Sequence, residues 1–180
     1  MRTIRLDPSD TFVFPRAAEP GEWAVTGTFM FWQHDPAALV GKERSAFRSG
    51  FLGVESFGWS TLVQVVEASE DQRRSAVAAL AAHLRTDFGA PDDAAALQAA
   101  DDELRFAESL CDHPLDTLIA LHRTAEDGEI RETFRTLKPR GGRQPMRAFS
   151  FLDVEGEDEP AETVDLTTLG QGTARRGEPV

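Results

Sequence analysis

The sequence predicts an α+β protein with a mainly antiparallel sheet of about five to seven strands and an antiparallel pair of helices inserted after the fourth strand. Two observations support this fold class. Short apolar and β-branched runs, separated by turn residues, occupy both ends of the chain and indicate strands. Two long segments with helical spacing of apolar residues lie together between those runs, and helices grouped between blocks of strands are typical of α+β proteins.

Four strands are predicted before the helices. TIRL at 3–6 and TFVF at 11–14 are short extended runs, each followed by turn-forming residues. From Trp23 to Trp32, apolar residues would occupy both faces of a strand, which predicts a central strand covered on both sides. WSTLVQVVE at 59–67 is rich in β-branched residues and predicts the fourth strand.

The two helices have recognisable boundaries. SEDQ at 69–72 fits a capping box, and Gly89 ends the first helix. The second helix is expected to begin near Asp92, because acids are favourable at the positive end of a helix, and to end at Pro114. Since only a few residues join the two helices, we expect an antiparallel helical hairpin.

Strands return after the helices. TLIALHRT at 117–124 and EIRETFRTLK at 129–138 flank an Asp127-Gly128 pair, which predicts a β-hairpin. PMRAFSFLDV at 145–154 predicts the last strand.

The chain is predicted to form one domain and a tail. Its 180 residues suffice for one hydrophobic core, which we place in residues 1–154. Residues 155–180 contain seven acids, two arginines and few large apolar residues. This composition predicts an acidic, disordered C-terminal tail.

Charge and composition exclude several classes of function. The net charge of -12 argues against a nucleic-acid or anionic-membrane binder. Cys111 is the only cysteine, so neither an intrachain disulfide nor a cysteine zinc site is expected. The N-terminus lacks an apolar segment and no apolar run approaches about 18 residues, so we expect a cytoplasmic protein without signal peptide or transmembrane helix. P-loop spacing is absent, and we expect no metal or cofactor.

The connection from 33 to 58 contains the first candidate site. It is the longest segment without a clear strand, although a short helix could form around Gly41 to Ser49. Long loops bordered by rigid strands often carry binding groups. The candidate pocket residues are Trp32, His34, Arg48, Phe51 and Glu55. In this hypothesis the aromatic residues form apolar walls, His34 is an acid–base group and Arg48 anchors an anion. The alternative is a loop that only caps one end of the sheet.

A basic run near the end of the domain forms the second candidate site. Its six cations are Arg131, Arg135, Lys138, Arg140, Arg143 and Arg147, against Glu132 as the only acid. Guanidinium groups around the Gly141-Gly142 turn could bind a phosphate or carboxylate. The alternatives are an edge strand protected by charge, or a cradle for the protein's own acidic tail.

Three stretches of the sequence carry a resemblance to a known family. TIRLDPSDTFVF, EWAVTGTFMFW and GFLGVESFGWSTLV together resemble an uncharacterised family of small acidic proteobacterial proteins, a domain of unknown function, over about residues 3–154. The resemblance implies genes located near molybdoenzyme or formate dehydrogenase genes. It therefore also implies an accessory role in assembling a redox enzyme of the molybdenum type, with no functional residues to carry over.

The leading functional hypothesis is a non-catalytic accessory or binding protein that acts on a protein partner or a small anionic ligand. The second hypothesis is a small enzyme with its pocket under the 33–58 loop. An enzyme would bring polar groups with shifted pKa values together at a cavity. A third hypothesis is a self-associating structural protein, with Trp59 and the neighbouring strands at a homodimer interface.

Overall fold

The computed structural model describes residues 1–4, 9–126, 128–139 and 152–154. These residues confirm the α+β class: strands pair only in antiparallel fashion, and two long helices lie between two blocks of strands. In chain order the elements are β1 (Arg2–Ile4), α1 (Asp10–Val13), β2 (Ala24–Val25), a 3₁₀ helix (Thr28–Phe31), α2 (Gly41–Ser49), β3 (Phe51–Gly53), β4 (Trp59–Ser60), β5 (Leu62–Gln64), α3 (Glu70–Asp87), α4 (Asp93–Ser109), β6 (Leu118–Glu126), β7 (Glu129–Pro139) and β8 (Leu152–Val154).

The strands form two sheets. The larger sheet has the order β1-β5-β6-β7-β8 and the smaller sheet has the order β2-β3-β4. Only Thr61 separates β4 from β5, so the chain passes from the smaller sheet into the larger one at that residue. The helical pair follows β5, because the 33–58 connection contributes β3, the 59–67 run forms both β4 and β5, and the 11–14 run is helical.

One continuous hydrophobic core joins both sheets and the helices. Its fully buried side chains include Phe51 of β3, Val63 of β5, Leu80 of α3 and Ile119 of β6. Large side chains from separate elements therefore stabilise one another by burial, each contributing about 2 kcal/mol relative to exposure.

The predicted helical hairpin is confirmed. The backbone N–H of Gln72 donates to Ser69 Oγ at 3.2 Å, and the N–H of Ser69 donates to Gln72 Oε1 at 3.0 Å, which forms the capping box. At the start of α4, Asp92 Oδ1 accepts from the N–H of Ala95 at 2.7 Å. The strand hairpin is confirmed as well, since β6 pairs with β7 from Glu126 opposite Glu129 onward.

The prediction of a strand at 11–14 is wrong. Asp10–Val13 forms one turn of helix, in which the N–H of Val13 donates to the carbonyl of Ser9 at 2.9 Å. Asp10 lies under this turn and accepts from Thr61 Oγ1 at 2.8 Å. The turn directs Phe14 into the core, where it is 0% exposed, and leaves Phe12 75% exposed. Tertiary anchoring overrides the β propensity of this run.

The prediction of a central strand from Trp23 to Trp32 is also wrong. Only Ala24–Val25 is a strand, and Gly27 then adopts a left-handed backbone with φ of 73°. A Cβ atom at Gly27 would lie 2.5 Å from Leu52 Cβ, so a glycine is required there on both grounds. The chain bends into the 3₁₀ helix, which buries aromatic rings without strand pairing.

Other boundaries differ in smaller ways. The 59–67 run is divided between β4 and β5, which belong to different sheets. The short helix expected near Gly41 to Ser49 is α2. Of the last predicted strand, 145–154, the described part is β8, and the tail at 155–180 lies outside the described residues.

Trp59 is packed inside the chain. It is 6% exposed and its ring stacks on Phe31 with centroids 5.3 Å apart. Trp59 itself is therefore too buried to form a dimer interface, and self-association through the neighbouring strands stays a prediction. No helix among the described residues is long and apolar enough to cross a membrane.

Candidate functional site

A cavity of about 660 Å³ lies between the 3₁₀ helix and the tip of the α3–α4 hairpin. Phe29 of the 3₁₀ helix, together with Trp32 and His34 just after it, forms one wall. Leu84 and Phe88 form a second wall at the C-terminal end of α3. Trp32 is 73% exposed and therefore lies at the mouth of the cavity.

Helix α4 forms the third wall. Ala95, Ala99, Asp102 and Glu103 line the cavity and share one face of the helix, because residues four and seven positions apart lie above one another. The two alanines have small side chains, which leaves open volume along the first two turns of that face. The two acids follow, so the polar groups of this wall lie together.

Aromatic contacts hold the apolar walls in place. Phe29 meets Phe88 edge-on with ring centroids 5.4 Å apart, and Phe57 packs beside both rings. His83 stacks on Phe57 at 4.0 Å, and its Nδ1 lies 3.0 Å from a carboxylate oxygen of Asp87, which lines the cavity. Such pairs favour a fixed geometry, so the cavity is a preformed feature of the fold.

Glu103 is the unusual ionisable group of the cavity. Its side chain makes no hydrogen bond or ion pair with any of the described residues. Burial, together with the negative charge of Glu132, raises the pKa of Glu103 to about 7, although the positive charge of Arg123 opposes the shift. Both protonation states of Glu103 are therefore populated near neutral pH.

Behind Glu103 lies a buried cluster formed by Arg123, Glu132 and Thr28. Arg123 Nε lies 2.8 Å from Glu132 Oε1 and 3.2 Å from Thr28 Oγ1. The Thr28 hydroxyl donates to the same Glu132 oxygen. Because Thr28 begins the 3₁₀ helix, the cluster connects the β6–β7 hairpin to the cavity wall at Phe29.

Arg123 also supports the end of α2. The residue is 1% exposed, and its Nη1 donates to the carbonyls of Phe47 at 3.0 Å and Gly50 at 2.9 Å. Its Nη2 donates to the carbonyl of Thr26. Burial lowers the pKa of Arg123 and Glu132 opposes that shift, so the guanidinium stays charged. Its contacts are all internal, which makes Arg123 a structural group.

A second buried carboxylate holds the turn between β3 and β4. Glu22 accepts from the N–H groups of Glu19 at 2.7 Å, Glu55 at 3.0 Å and Ser56 at 2.8 Å, and also from the Ser56 hydroxyl. Gly53 makes room for it, since a Cβ there would lie 2.3 Å from the carboxylate. Glu22 thus stabilises this turn and lies outside the cavity lining.

Comparison with known proteins identifies a family for the chain. A model described as a family of unknown function, DUF6505, matches residues 1–151. The chain belongs to this family. Neither a curated protein nor a solved structure matches the chain. The match covers every residue that lines the cavity, so the cavity lies within the DUF6505 region.

The structure brings together only part of the predicted pocket. In this DUF6505 member, Trp32 and His34 line the cavity. Phe51 is fully buried in β3, 6.5 Å from the ring of Phe134, and Arg48 is exposed on α2. Glu55 belongs to the turn between β3 and β4, where its backbone N–H donates to the carboxylate of Glu22. The last three residues lie outside the cavity lining.

The predicted anion site is described only in part. Arg131 forms an ion pair with Glu126 at 2.9 Å, and Arg135 is exposed on the same face of β7. Lys138 pairs through its backbone with Asp153 of β8. Arg140, Arg143 and Arg147 lie outside the described residues. Anion binding by this run stays a prediction.

Sequence reasoning missed the two most informative polar residues. Glu103 lies directly before Leu104 of the apolar stripe of α4, and an acid beside such a stripe is a detectable pattern. Arg123 follows Ile119 and Leu121 at alternate positions of β6, which places a charge on the buried face. Cys111 is a half-buried free thiol beside a separate cavity of about 100 Å³. Among the described residues no group of three metal-ligating side chains occurs.

Proposed function

We propose that this DUF6505 member is a non-catalytic accessory or binding protein whose cavity holds a small molecule with a largely apolar body. The observation that carries this proposal is the cavity itself. Its volume of about 660 Å³ falls within the range of small-molecule sites, about 300–1,000 Å³. Phe29, Leu84 and Phe88 form apolar walls, and the described lining also includes three carboxylates, Gln33 and His34.

Binding is favoured by removal of apolar surface from water. An apolar ligand gains about 25 cal/mol for each Å² that it buries. Because the aromatic contacts already fix the walls, little conformational entropy is lost when the ligand enters. Trp32 at the mouth of the cavity is positioned to cover the ligand.

The lining chemistry supports binding over covalent catalysis. None of the described residues that line the cavity is a Ser, Thr, Cys or Lys, so carboxylates and His34 are the nucleophiles of the described lining. Its ionisable groups are carboxylates and His34. A cavity with this lining can hold and orient a molecule without attacking it.

The proposal is tested with Nile red, a neutral dye whose fluorescence rises in apolar surroundings. Ala99→Trp places a large ring in the cavity, and Ala94→Trp makes the same change at an exposed position of α4 outside the lining. We expect wild type and Ala94→Trp to bind the dye equally, and Ala99→Trp to bind it at least about tenfold more weakly. Equal binding by all three proteins, or no binding by wild type, would contradict the proposal.

A small enzyme is the second candidate, and Glu103 is the observation that favours it. A carboxyl with a pKa of about 7 in an apolar cavity can exchange protons at neutral pH, and His34 lines the same cavity. The test compares wild type with Glu103→Gln in a small-molecule extract of the host, followed by mass spectrometry. A compound consumed only by wild type supports catalysis, and unchanged profiles with both proteins count against it.

The family resemblance supports a narrower proposal about the partner. In it, the protein acts on a redox enzyme of the molybdenum type during assembly. Affinity capture from the native host at native expression level tests this proposal. Recovery of a molybdoenzyme subunit by wild type, and its loss with Ala99→Trp, is the expected result. Recovery of the bait alone would contradict it.

A further inference from the structure

We propose that the molecule held by the cavity is an organic cation, an amine with an apolar body, whose ammonium group pairs with Glu103. This inference rests on the proposed function and adds the chemical class of the ligand. It follows from the charges of the lining, from the internal partners of each carboxylate, and from the buried cluster behind Glu103.

The cavity lining is acidic. Asp87, Asp102 and Glu103 contribute carboxylates, and no Lys or Arg occurs among the described lining residues. His34 is the other ionisable group there. Acidic groups around a cavity of low polarity attract cations and repel anions, because charge interactions strengthen as water is excluded.

Two of these carboxylates already have partners within the chain. Asp87 lies 3.0 Å from His83 Nδ1. Asp102 accepts from Arg105 at 3.1 Å and from Gln98 at 3.0 Å. Glu103 has no such partner among the described residues, so it is the carboxylate that is available to a ligand.

The cluster behind Glu103 contains more acid than base. Glu132 of β7 and Glu103 of α4 act on each other as like charges, while Arg123 of β6 is the guanidinium that opposes both among the described residues. Arg123 is already bound to Glu132 at 2.8 Å and to backbone carbonyls. A second cation at Glu103 would therefore reduce the excess of negative charge.

The protonation of Glu103 gives the pairing a distinct pH dependence. Without ligand the pKa of Glu103 is about 7, so much of it is protonated below neutral pH. An ammonium group favours the ionised carboxylate, and binding below neutral pH must release a proton. Affinity for a cation should therefore fall as the pH is lowered through the pKa, by up to about tenfold per pH unit.

The apolar walls fit the rest of such a ligand. Phe29 and Phe88 offer ring surface to an alkyl or aryl body, and Trp32 at the mouth can contact a cation through its ring face. An amine with an apolar body would thus contact both the apolar walls and the carboxylate of Glu103.

Octylammonium, octanol and octanoate provide the test, because they share one alkyl chain and differ in head-group charge. Calorimetric titration of wild type at about pH 8 should show octylammonium binding about tenfold more tightly than octanol, and octanoate binding most weakly. Glu103→Gln should remove the preference for octylammonium over octanol and keep octanol binding. Glu108→Gln, which makes the same charge change on α4 outside this cavity, should keep the preference.

A second measurement applies to wild type alone. Titration with octylammonium at about pH 6.5, in two buffers of different ionisation enthalpy, should reveal release of a proton, since part of Glu103 is protonated there. Equal binding of octylammonium and octanol, tighter binding of octanoate, or no proton release would overturn the inference and leave the proposed function intact. If none of the three compounds and no Nile red bind, the proposed function fails as well.

Discussion

Replacing Arg123 with Met removes the charged group that joins the β6–β7 hairpin, the end of α2 and the start of the 3₁₀ helix. The side chain is 0% exposed, and its pair with Glu132 measures 2.8 Å. Removing one partner of a buried ion pair costs about 3–5 kcal/mol, because the other charge is left uncompensated. The carbonyls of Phe47 and Gly50 also lose a donor, at a cost of about 1–3 kcal/mol for each orphaned acceptor.

Methionine recovers part of this cost by burying apolar surface, about 1–2 kcal/mol. We therefore expect Arg123→Met to lower the free energy of unfolding by about 4 kcal/mol or more, a large fraction of the typical 5–15 kcal/mol for a domain. Urea unfolding followed by tryptophan fluorescence measures the change. Arg131→Met is the matched control, since Arg131 pairs with Glu126 at the surface of the same hairpin. The Arg131→Met change should lower the free energy of unfolding by less than about 1 kcal/mol.

Removing both charges separates the ion pair from other effects. The double variant Arg123→Met with Glu132→Met removes both charges of the ion pair, so it should be more stable than the sum of the single changes predicts, by about 2 kcal/mol. If Arg123→Met does not fold, Arg123→Lys takes its place in the assay. Lysine keeps the charge but lacks the planar fork, so the free energy of unfolding should fall by an intermediate amount. The reasoning is refuted if Arg123→Met and Arg131→Met cost the same.

Three further predictions concern stability. Glu103→Gln should remove a pH dependence of stability. Because the pKa of about 7 in the folded protein exceeds the ordinary value of 4.5, the stability of the wild type falls as the pH rises from 4.5 to 7. In urea unfolding, the variant should be more stable than the wild type by about 2 kcal/mol at about pH 8 and equally stable at about pH 4. Gly27→Ala should lower the free energy of unfolding by about 2–4 kcal/mol, because position 27 has a left-handed φ and a Cβ there would clash with Leu52 of the neighbouring strand. Gly21→Ala is the control, since position 21 has φ of 89° but open space, and it should lower the same free energy by about 1 kcal/mol. Similar values for the two variants would contradict the clash. Glu22→Gln should lower the melting temperature by about 5 °C or more, because it weakens four hydrogen bonds to a buried carboxylate. Glu19→Gln changes an exposed acid nearby and should leave the melting temperature unchanged. Equal melting temperatures for the two variants would exclude a structural role for the Glu22 carboxylate.

Local chemistry made the helices and the strand hairpin predictable. Ser69 and Gln72 satisfy the first N–H groups of α3 with side chains only three positions apart. The Asp127-Gly128 pair predicts the hairpin, and Glu126 lies opposite Glu129 in the register that a two-residue connection requires. These features depend on neighbours in sequence, and distant residues do not alter them.

The pairing of Arg123 with Glu132 was also accessible from the sequence. A two-residue turn places Glu126 opposite Glu129, and counting back along both strands brings Arg123 opposite Glu132. Alternation along β6 places Arg123 on the same face as Ile119 and Leu121. A buried charge with its partner therefore follows from register and period together.

Short strands and sharp bends could not be predicted in the same way. The 11–14 run has a strand composition, yet Phe14 is drawn into the core by a helical turn. The apolar run after Trp23 bends at Gly27 because Leu52, distant in sequence, occupies the space beside it. Strands of two or three residues such as β3 are too short to show a period, and only their partners define them.

The sequence by itself determined the α+β class, the two capped helices, the hairpin register and the acidic character of the chain, since each depends on local spacing or composition. Tertiary structure alone decided the cavity, because its walls come from residues near 29–34, 84–91 and 95–103. The raised pKa of Glu103 has the same origin: its burial and the nearby charge of Glu132 exist only once α4 packs beside β7. Composition sets which charges the chain carries, and folding sets which of them lose water.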